Sequence, residues 1–128
     1  MMPTITYDNF LEYLLETLPE MRAPYQKMLD DNGEIFFYIL VGGALVKLSV
    51  SNFEMYSSSD QPDQNVKNLL DRLINFLENC ASFGDEDVVE LILVGFMEHL
   101  DANHPNFSDI ATALKPASRQ LLRLSKGV

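Results

Sequence analysis

The chain has few of the residues from which catalytic and metal sites are usually built. It contains a single cysteine, Cys80, so an internal disulfide is excluded. No lysine, arginine or histidine stands near Cys80 in the sequence to stabilise a thiolate, which favours a buried, unreactive thiol at a helix end. The two histidines, His99 and His104, come with Glu98 and Asp101 but without an HExxH pattern or a cysteine pair. This spacing favours a solvated helix end, and we expect no bound metal.

Motifs for phosphate binding and acid–base catalysis are also lacking. Gly42 and Gly43 lie inside an apolar segment, without the lysine and the serine or threonine of a phosphate-binding loop. Close helix packing or a kink explains them better. Acidic pairs such as Glu86 and Glu90 have the i, i+4 spacing of an exposed helix face. The sequence therefore predicts no catalytic residue, no cofactor and no enzymatic activity.

Long apolar segments are absent as well. The longest apolar run extends from Ile35 to Val46, which is too short to span a bilayer and is typical of a core segment. The N-terminus lacks a positive segment followed by an apolar core, so it does not look like a signal peptide. We expect a cytoplasmic, bacterial-type protein that does not bind membranes.

Positive charge is scarce. The chain has nineteen Asp and Glu against nine Lys and Arg, for a net charge of −10. All the acidic residues lie within residues 1–109. The basic residues of the C-terminal segment have no acid among them: Lys115, Arg119, Arg123 and Lys126. A body this negative repels nucleic acid and suits a basic protein partner.

Helical periodicity is clear in the first quarter of the chain. Apolar residues from Tyr7 to Leu18 recur at helical spacing, with acids on the opposite side. Pro19 ends this helix. A shorter second helix follows, and the turn-forming residues 30–33 terminate it.

The segment from Glu34 to Phe53 is ambiguous. Its first residues are β-prone and each glycine of the Gly42–Gly43 pair weakens a helix by about 1 kcal/mol. A β-hairpin at 35–50 is therefore an alternative. A buried helix is preferred, because no other segment offers strands to pair with such a hairpin.

The second half of the chain predicts further helices. A polar loop is expected from Tyr56 to Gln64, followed by an amphipathic helix that ends near Cys80. Asp85 is a good N-cap for an almost wholly apolar helix that we expect at the centre of the bundle. A short helix should begin near Ser108, and a basic one at Pro116.

These elements predict an all-α fold. We expect one domain over residues 1–128, a bundle of about five to six helices around a buried central helix. A basic C-terminal helix is expected at 116–126.

Without catalytic motifs, the surface is the remaining functional clue. Tyrosines beside acids are typical of interfaces with arginine and lysine. The polar loop and the acidic start of the Asp85 helix combine these features best. The sequence therefore offers six candidate partner-binding residues: Glu54, Tyr56, Asp60, Asp63, Asp85 and Glu86.

Four phrases of the sequence carry a family resemblance. They are FLEYLLETLPE (10–20), LLDRLINFLE (69–78), DEDVVELILVGFMEHL (85–100) and LKPASRQLL (114–122). In this order they resemble small, acidic, helical immunity proteins of bacterial polymorphic toxin systems, including contact-dependent and type VI secretion systems. The segment 35–53 departs from the pattern, since it is more apolar and contains glycines.

The resemblance implies an antitoxin that binds a cognate toxin domain and occludes it. The charge favours a basic target, such as a nuclease or a nucleotide-using transferase of the ADP-ribosyltransferase type. The alternative is a non-catalytic regulatory adaptor that binds an endogenous basic protein. An enzyme or metal protein using Glu98, His99 and His104 is a third reading, which predicts bound metal.

Overall fold

The computed structural model describes residues 4–127, which form seven helices and no β-strand. Residues 1–3 and 128 lie outside the described range. The predictions for the N-terminal segment and for a domain over 1–128 therefore fall outside it at these positions. The helices are α1 (Phe10–Thr17), α2 (Arg22–Asn32), α3 (Phe37–Ile39, a π-helical turn Leu40–Leu45, then Val46–Ser58), α4 (Gln64–Phe83), α5 (Glu86–Glu90, a π-helical turn Leu91–Phe96, then a 3₁₀ turn Met97–His99), α6 (Phe107–Ala113) and α7 (Pro116–Lys126). The all-α class is confirmed, with more helices than the five to six expected.

The ambiguous segment 34–53 is helical from Phe37 onward and contains no β-hairpin. Residues 37–58 form α3, and the single β-bridge among the described residues joins Ile5 to Gly84 elsewhere. The prediction that the polar loop starts at Tyr56 is wrong, since α3 continues to Ser58. The buried side chain of Phe53 holds the preceding turn against the core, and the serines after it take helical geometry despite their weak propensity. The true loop is 59–63.

The core is one cluster to which every helix except α2 contributes fully buried or nearly buried apolar side chains. Phe10 of α1 packs on Phe76 of α4 with ring centroids 5.8 Å apart. Helix α5 buries much of its surface and contacts α3, α4 and α7. Its side chains that solvent cannot reach are Val88, Leu91, Ile92, Phe96 and Met97.

The π-helical turns of α3 and α5 face each other. Each such turn widens the helix by one residue and shifts the register of the side chains after it. A Cβ atom at Gly42 would lie 2.8 Å from the carbonyl oxygen of Gly95 and 3.1 Å from Nδ1 of His99. At Gly43 the added Cβ would meet nothing within 4 Å. Gly42 therefore permits the close approach of the two backbones, and Gly43 does not take part in it.

Glu78 fixes the start of α7. Its carboxylate accepts hydrogen bonds from the backbone N–H groups of Ala117 (3.1 Å) and Ser118 (2.9 Å) and from the Ser118 hydroxyl. Partial burial alone would raise the pKa of Glu78, but these bonds and one from Ser82 outweigh it and lower the pKa. A side chain of α4 thus supplies the capping that α7 lacks from its own Lys115.

The basic tail bonds to carbonyl oxygens. Arg119 donates to the carbonyls of Thr112 and Leu114 at the end of α6, and Lys126 donates to that of Glu98. These are favourable places for cations, because helix carbonyls there lack partners. Within 4–127, no tail residue is within ion-pair distance of a carboxylate.

No helix in the described part of the chain is both long and apolar enough to traverse a bilayer.

Candidate partner-binding surface

Four of the six candidate residues predicted from the sequence lie around the 59–63 loop, and we call them the loop group: Glu54, Tyr56, Asp60 and Asp63. Asp63 caps α4, since its carboxylate accepts the Asn65 N–H at 2.7 Å. All four residues of the loop group are exposed to solvent. Tyr56 and Glu54 stand on the last turns of α3 instead of in a loop.

Glu54 is in hydrogen-bond contact with His104. The distance from Oε1 of Glu54 to Nε2 of His104 is 3.0 Å, and Nδ1 of His104 accepts the Asn106 N–H at 3.0 Å. An accepting Nδ1 places the ring proton on Nε2, where it faces the carboxylate. Both nitrogens are thus engaged within the protein. Glu54 therefore ties the end of α3 to the loop that precedes α6.

The remaining two candidates, Asp85 and Glu86, stand at the start of α5. Asp85 is the N-cap, as the sequence predicts, with Oδ1 accepting the Val88 N–H at 2.9 Å. Its Oδ2 accepts the Tyr7 N–H at 3.0 Å. Both oxygens of Asp85 therefore hold the fold together, whereas the Glu86 side chain is exposed.

The structure does not bring these six residues together. The loop group precedes the first turn of α4, and Asp85 follows its last turn. Helix α4 has 20 residues, so its ends are roughly 30 Å apart. A partner can reach both ends only along the length of α4.

A second group of exposed residues is centred on Tyr38, which lies close to Tyr7, Asp87 and Glu90. It contains four apolar or aromatic side chains and two acids, and we call it the tyrosine patch: Tyr7, Phe36, Tyr38, Ile39, Asp87 and Glu90. Tyr38 is 40% exposed and Ile39 is 62% exposed, a high value for isoleucine, which is among the residue types most often buried. The patch combines residues from before α1, from the start of α3 and from the first turns of α5.

The tyrosine patch rests on the core through Phe37. The ring centroid of Phe37 lies 4.9 Å from that of Tyr7 and 5.8 Å from that of Phe10. The Tyr38 ring covers Gly95, where an added Cβ would lie 3.5 Å from it. These contacts give the exposed rings a rigid base.

The acids of the patch are close enough to act on Tyr38. Partial burial raises the pKa of the Tyr38 phenol, and the negative charges of Glu90 and Asp87 raise it further, together with Tyr7. The phenol therefore stays protonated and can donate a hydrogen bond. Neither Asp87 nor Glu90 is in an ion pair within the described residues. Rings beside unpaired carboxylates suit the guanidinium or ammonium groups of a partner.

Sequence reasoning missed Tyr38 and Ile39 because they lie within the apolar run 35–46, which is typical of a core. One signal was available. A tyrosine hydroxyl in such a run needs water or a hydrogen-bond partner. No polar side chain of the run supplies one.

Of the three residues of the metal hypothesis, His99 and His104 share a groove of about 410 Å³ with Asp101 and Glu54, and Glu98 is not among the residues that line it. Nδ1 of His99 lies 3.2 Å from the Val94 carbonyl, and both nitrogens of His104 are engaged. Across residues 4–127 no set of three or more His, Cys, Asp or Glu side chains is arranged to hold a metal ion.

Cys80 is buried, as predicted. Burial raises the pKa of its thiol to about 12, so it carries no thiolate at neutral pH. The residue is part of the core and takes no part in a candidate site.

Comparison with known proteins gives one match. Residues 11–126 match the model of the family described as "Domain of unknown function (DUF7674)". No curated protein and no solved structure matches the chain.

Proposed function

The chain belongs to the DUF7674 family, and we propose that it is an immunity protein that binds and occludes a basic bacterial toxin domain without performing chemistry. The proposed target is a nuclease or a nucleotide-using transferase such as an ADP-ribosyltransferase. The site of action would be the bacterial cytoplasm. The observation that carries this proposal is the tyrosine patch.

The composition of the patch suits a tight interface. Exposed apolar side chains grouped at one place are characteristic of protein-binding surfaces, and tyrosine is enriched among the residues that dominate binding energy. The carboxylates of Asp87 and Glu90 lie close to Tyr38, and neither pairs with a cation among residues 4–127. A basic side chain of a toxin could contact a ring and a carboxylate at once.

The rest of the surface supports fast encounter. The net charge of −10 is spread over many unpaired acids, including the exposed Asp60 of the loop group. Such a field raises the association rate with a basic protein, while buried contacts at the patch determine how slowly the complex dissociates. We propose α5 as the central support of this arrangement, because it carries Asp87 and Glu90 on a largely buried helix.

The decisive experiment is co-expression with the toxin domain encoded next to this gene. Rescue of growth and co-purification are expected with the natural chain. Tyr38→Ala should weaken the affinity about 30-fold, which corresponds to about 2 kcal/mol at a binding hot spot. The affinity of Glu90→Gln tests the carboxylate of the patch. Glu98→Gln is its matched control, because Glu98 is an exposed acid at the other end of α5.

The alternative is a regulatory adaptor for an endogenous basic protein, which could use the same patch. Genetic context separates the two, since an immunity gene should lie beside a toxin gene. If the protein is an adaptor, purification from the native host should recover an endogenous protein of the host in place of a toxin.

A metal-dependent function is the third candidate, and elemental analysis of the purified protein tests it directly.

A further inference from the structure

We propose that this protein carries a second recognition site of opposite charge, which binds an acidic side chain of a protein partner next to an apolar one. The site is a groove of about 490 Å³ between the end of α3, the middle of α4 and the α6–α7 junction. We call it the lysine groove. The residues that matter most are Lys67, Lys115, Asp71, Phe53, Leu70 and Ile74.

The two lysines give the groove its charge. Neither Lys67 nor Lys115 lies within 4 Å of a carboxylate oxygen in the described part of the chain. Nζ of Lys115 donates to the side-chain oxygen of Asn75, a neutral acceptor that positions the ammonium without cancelling its charge. Asp71 is the single acid of the groove, so the local charge is positive on a molecule of net charge −10.

The floor of the groove is apolar. Phe53, Leu70 and Ile74 are each less than one tenth exposed, and all three line the groove. Tyr56 stands at the rim and is 40% exposed. Two ammonium groups above an apolar floor are complementary to a carboxylate beside an aromatic or aliphatic group.

The net charge of the whole molecule further limits the kind of ligand that the lysine groove can bind. A polyanion such as nucleic acid would be repelled by the surrounding acids, because its charges extend far beyond the groove. One Asp or Glu on a protein of otherwise neutral or basic surface meets only the local positive charge. A partner would then need both signs of charge in the right places, which excludes proteins that are merely basic.

This inference does not depend on the toxin hypothesis, and a small probe tests it. Backbone amide signals of the ¹⁵N-labelled protein are followed by NMR during titration with N-acetylphenylalanine, which has one carboxylate and one ring. N-acetylphenylalaninamide is the neutral control. The acid should shift signals of Leu70, Ile74, Tyr56 and Lys115 at millimolar concentration, and the amide should shift them far less.

Variants identify the charges responsible. The double variant Lys67→Gln/Lys115→Gln should weaken binding of the acid about fivefold, as expected for two partly exposed ion pairs. Asp71→Asn should strengthen it. Lys47→Gln should leave it unchanged, because Lys47 is an exposed lysine on the same helix as Phe53 but outside the groove. Thermal unfolding of each variant establishes that the fold is retained.

Three results would overturn the proposal. The first is the absence of shifts at the groove, or shifts located elsewhere. The second is equal binding of acid and amide, which would make the groove merely apolar. The third is tighter binding of adenosine monophosphate at the same residues, which would assign the groove to nucleotides.

Discussion

Replacing Gly42 by alanine tests the packing of the two π-helical turns. Gly42 and Gly43 are neighbours in the same turn, and neither has a positive φ angle. Alanine at either position gains up to about 1 kcal/mol in helix propensity. The two substitutions differ only in the space that is available to the new methyl group. At Gly42 the new methyl group would stand 2.8 Å from a backbone oxygen, and at Gly43 it would meet nothing within 4 Å.

The expected difference in stability between the two variants follows from the difference in available space. The oxygen at Gly42 belongs to the backbone of Gly95, so it can move only if α5 moves away from α3. Forcing an extra methyl group into a packed interface costs about 1–3 kcal/mol. We therefore expect Gly42→Ala to be less stable than Gly43→Ala by about 1–3 kcal/mol, and Gly43→Ala to be slightly more stable than the natural chain.

Urea unfolding followed by circular dichroism measures this directly, with thermal unfolding as a second readout. One kcal/mol corresponds to about 3–5 °C in a chain of this size. Equal stability of the two variants would refute the close contact between Gly42 and Gly95. A stabilised Gly42→Ala would do so even more plainly.

Other predictions concern single side chains. Glu78→Gln should destabilise the protein by about 1 kcal/mol at neutral pH, because the start of α7 loses a charged acceptor. The pKa of Glu78 is lowered in the folded state, so its contribution is complete above the unfolded pKa of about 4.3 and is lost as the pH falls further. Urea titrations of both proteins at neutral and acidic pH should therefore converge in acid, and a constant difference would contradict the assignment. Asp60→Lys should lower the association rate with the basic partner, more so at low salt, without loss of stability; Asp63→Lys should also cost about 1 kcal/mol because it removes the cap of α4. If stopped-flow rates are unchanged by Asp60→Lys, Asp63→Lys and Glu54→Lys, the charges of the loop group do not steer the partner toward the tyrosine patch. Cys80 should resist iodoacetamide at pH 8 in the folded protein and react in urea, as mass spectrometry will reveal; rapid labelling without denaturant would show that its surroundings open readily.

The regular helices could be predicted from the sequence because their signals are local. The apolar stripes of α1 and α4, the N-cap at Asp85 and the first-turn Pro116 all depend on residues within a few positions of each other. Cys80 was predicted to be buried for the same reason. For Gly42 and Gly43 the sequence favours close helix packing or a kink, and the structure shows close packing at Gly42 but not at Gly43.

The surface could not be predicted in the same way. Tyr7, Tyr38 and Glu90 are far apart in the sequence, and only the packing of Phe37 and the tie from Asp85 bring them together. The loop after α3 was placed too early, because serine-rich sequence looks like a loop although the helix continues through it. The sequence does not reveal the lysine groove, since Lys67 lies in α4 and Lys115 lies far along the chain, in the junction between α6 and α7.

The hydrogen bond from the Tyr7 N–H to Asp85 has a practical consequence. The tyrosine patch is a discontinuous surface, assembled from three stretches of chain that meet only when the helices are packed. A synthetic peptide covering the start of α3 would contain Phe36, Tyr38 and Ile39 but not the carboxylates beside them. Such a peptide should not compete with the protein for its partner. Loss of the hydrogen bond from the Tyr7 N–H to Asp85 should release Tyr7 from the rest of the patch and weaken recognition, although the chain would still contain every side chain of the patch.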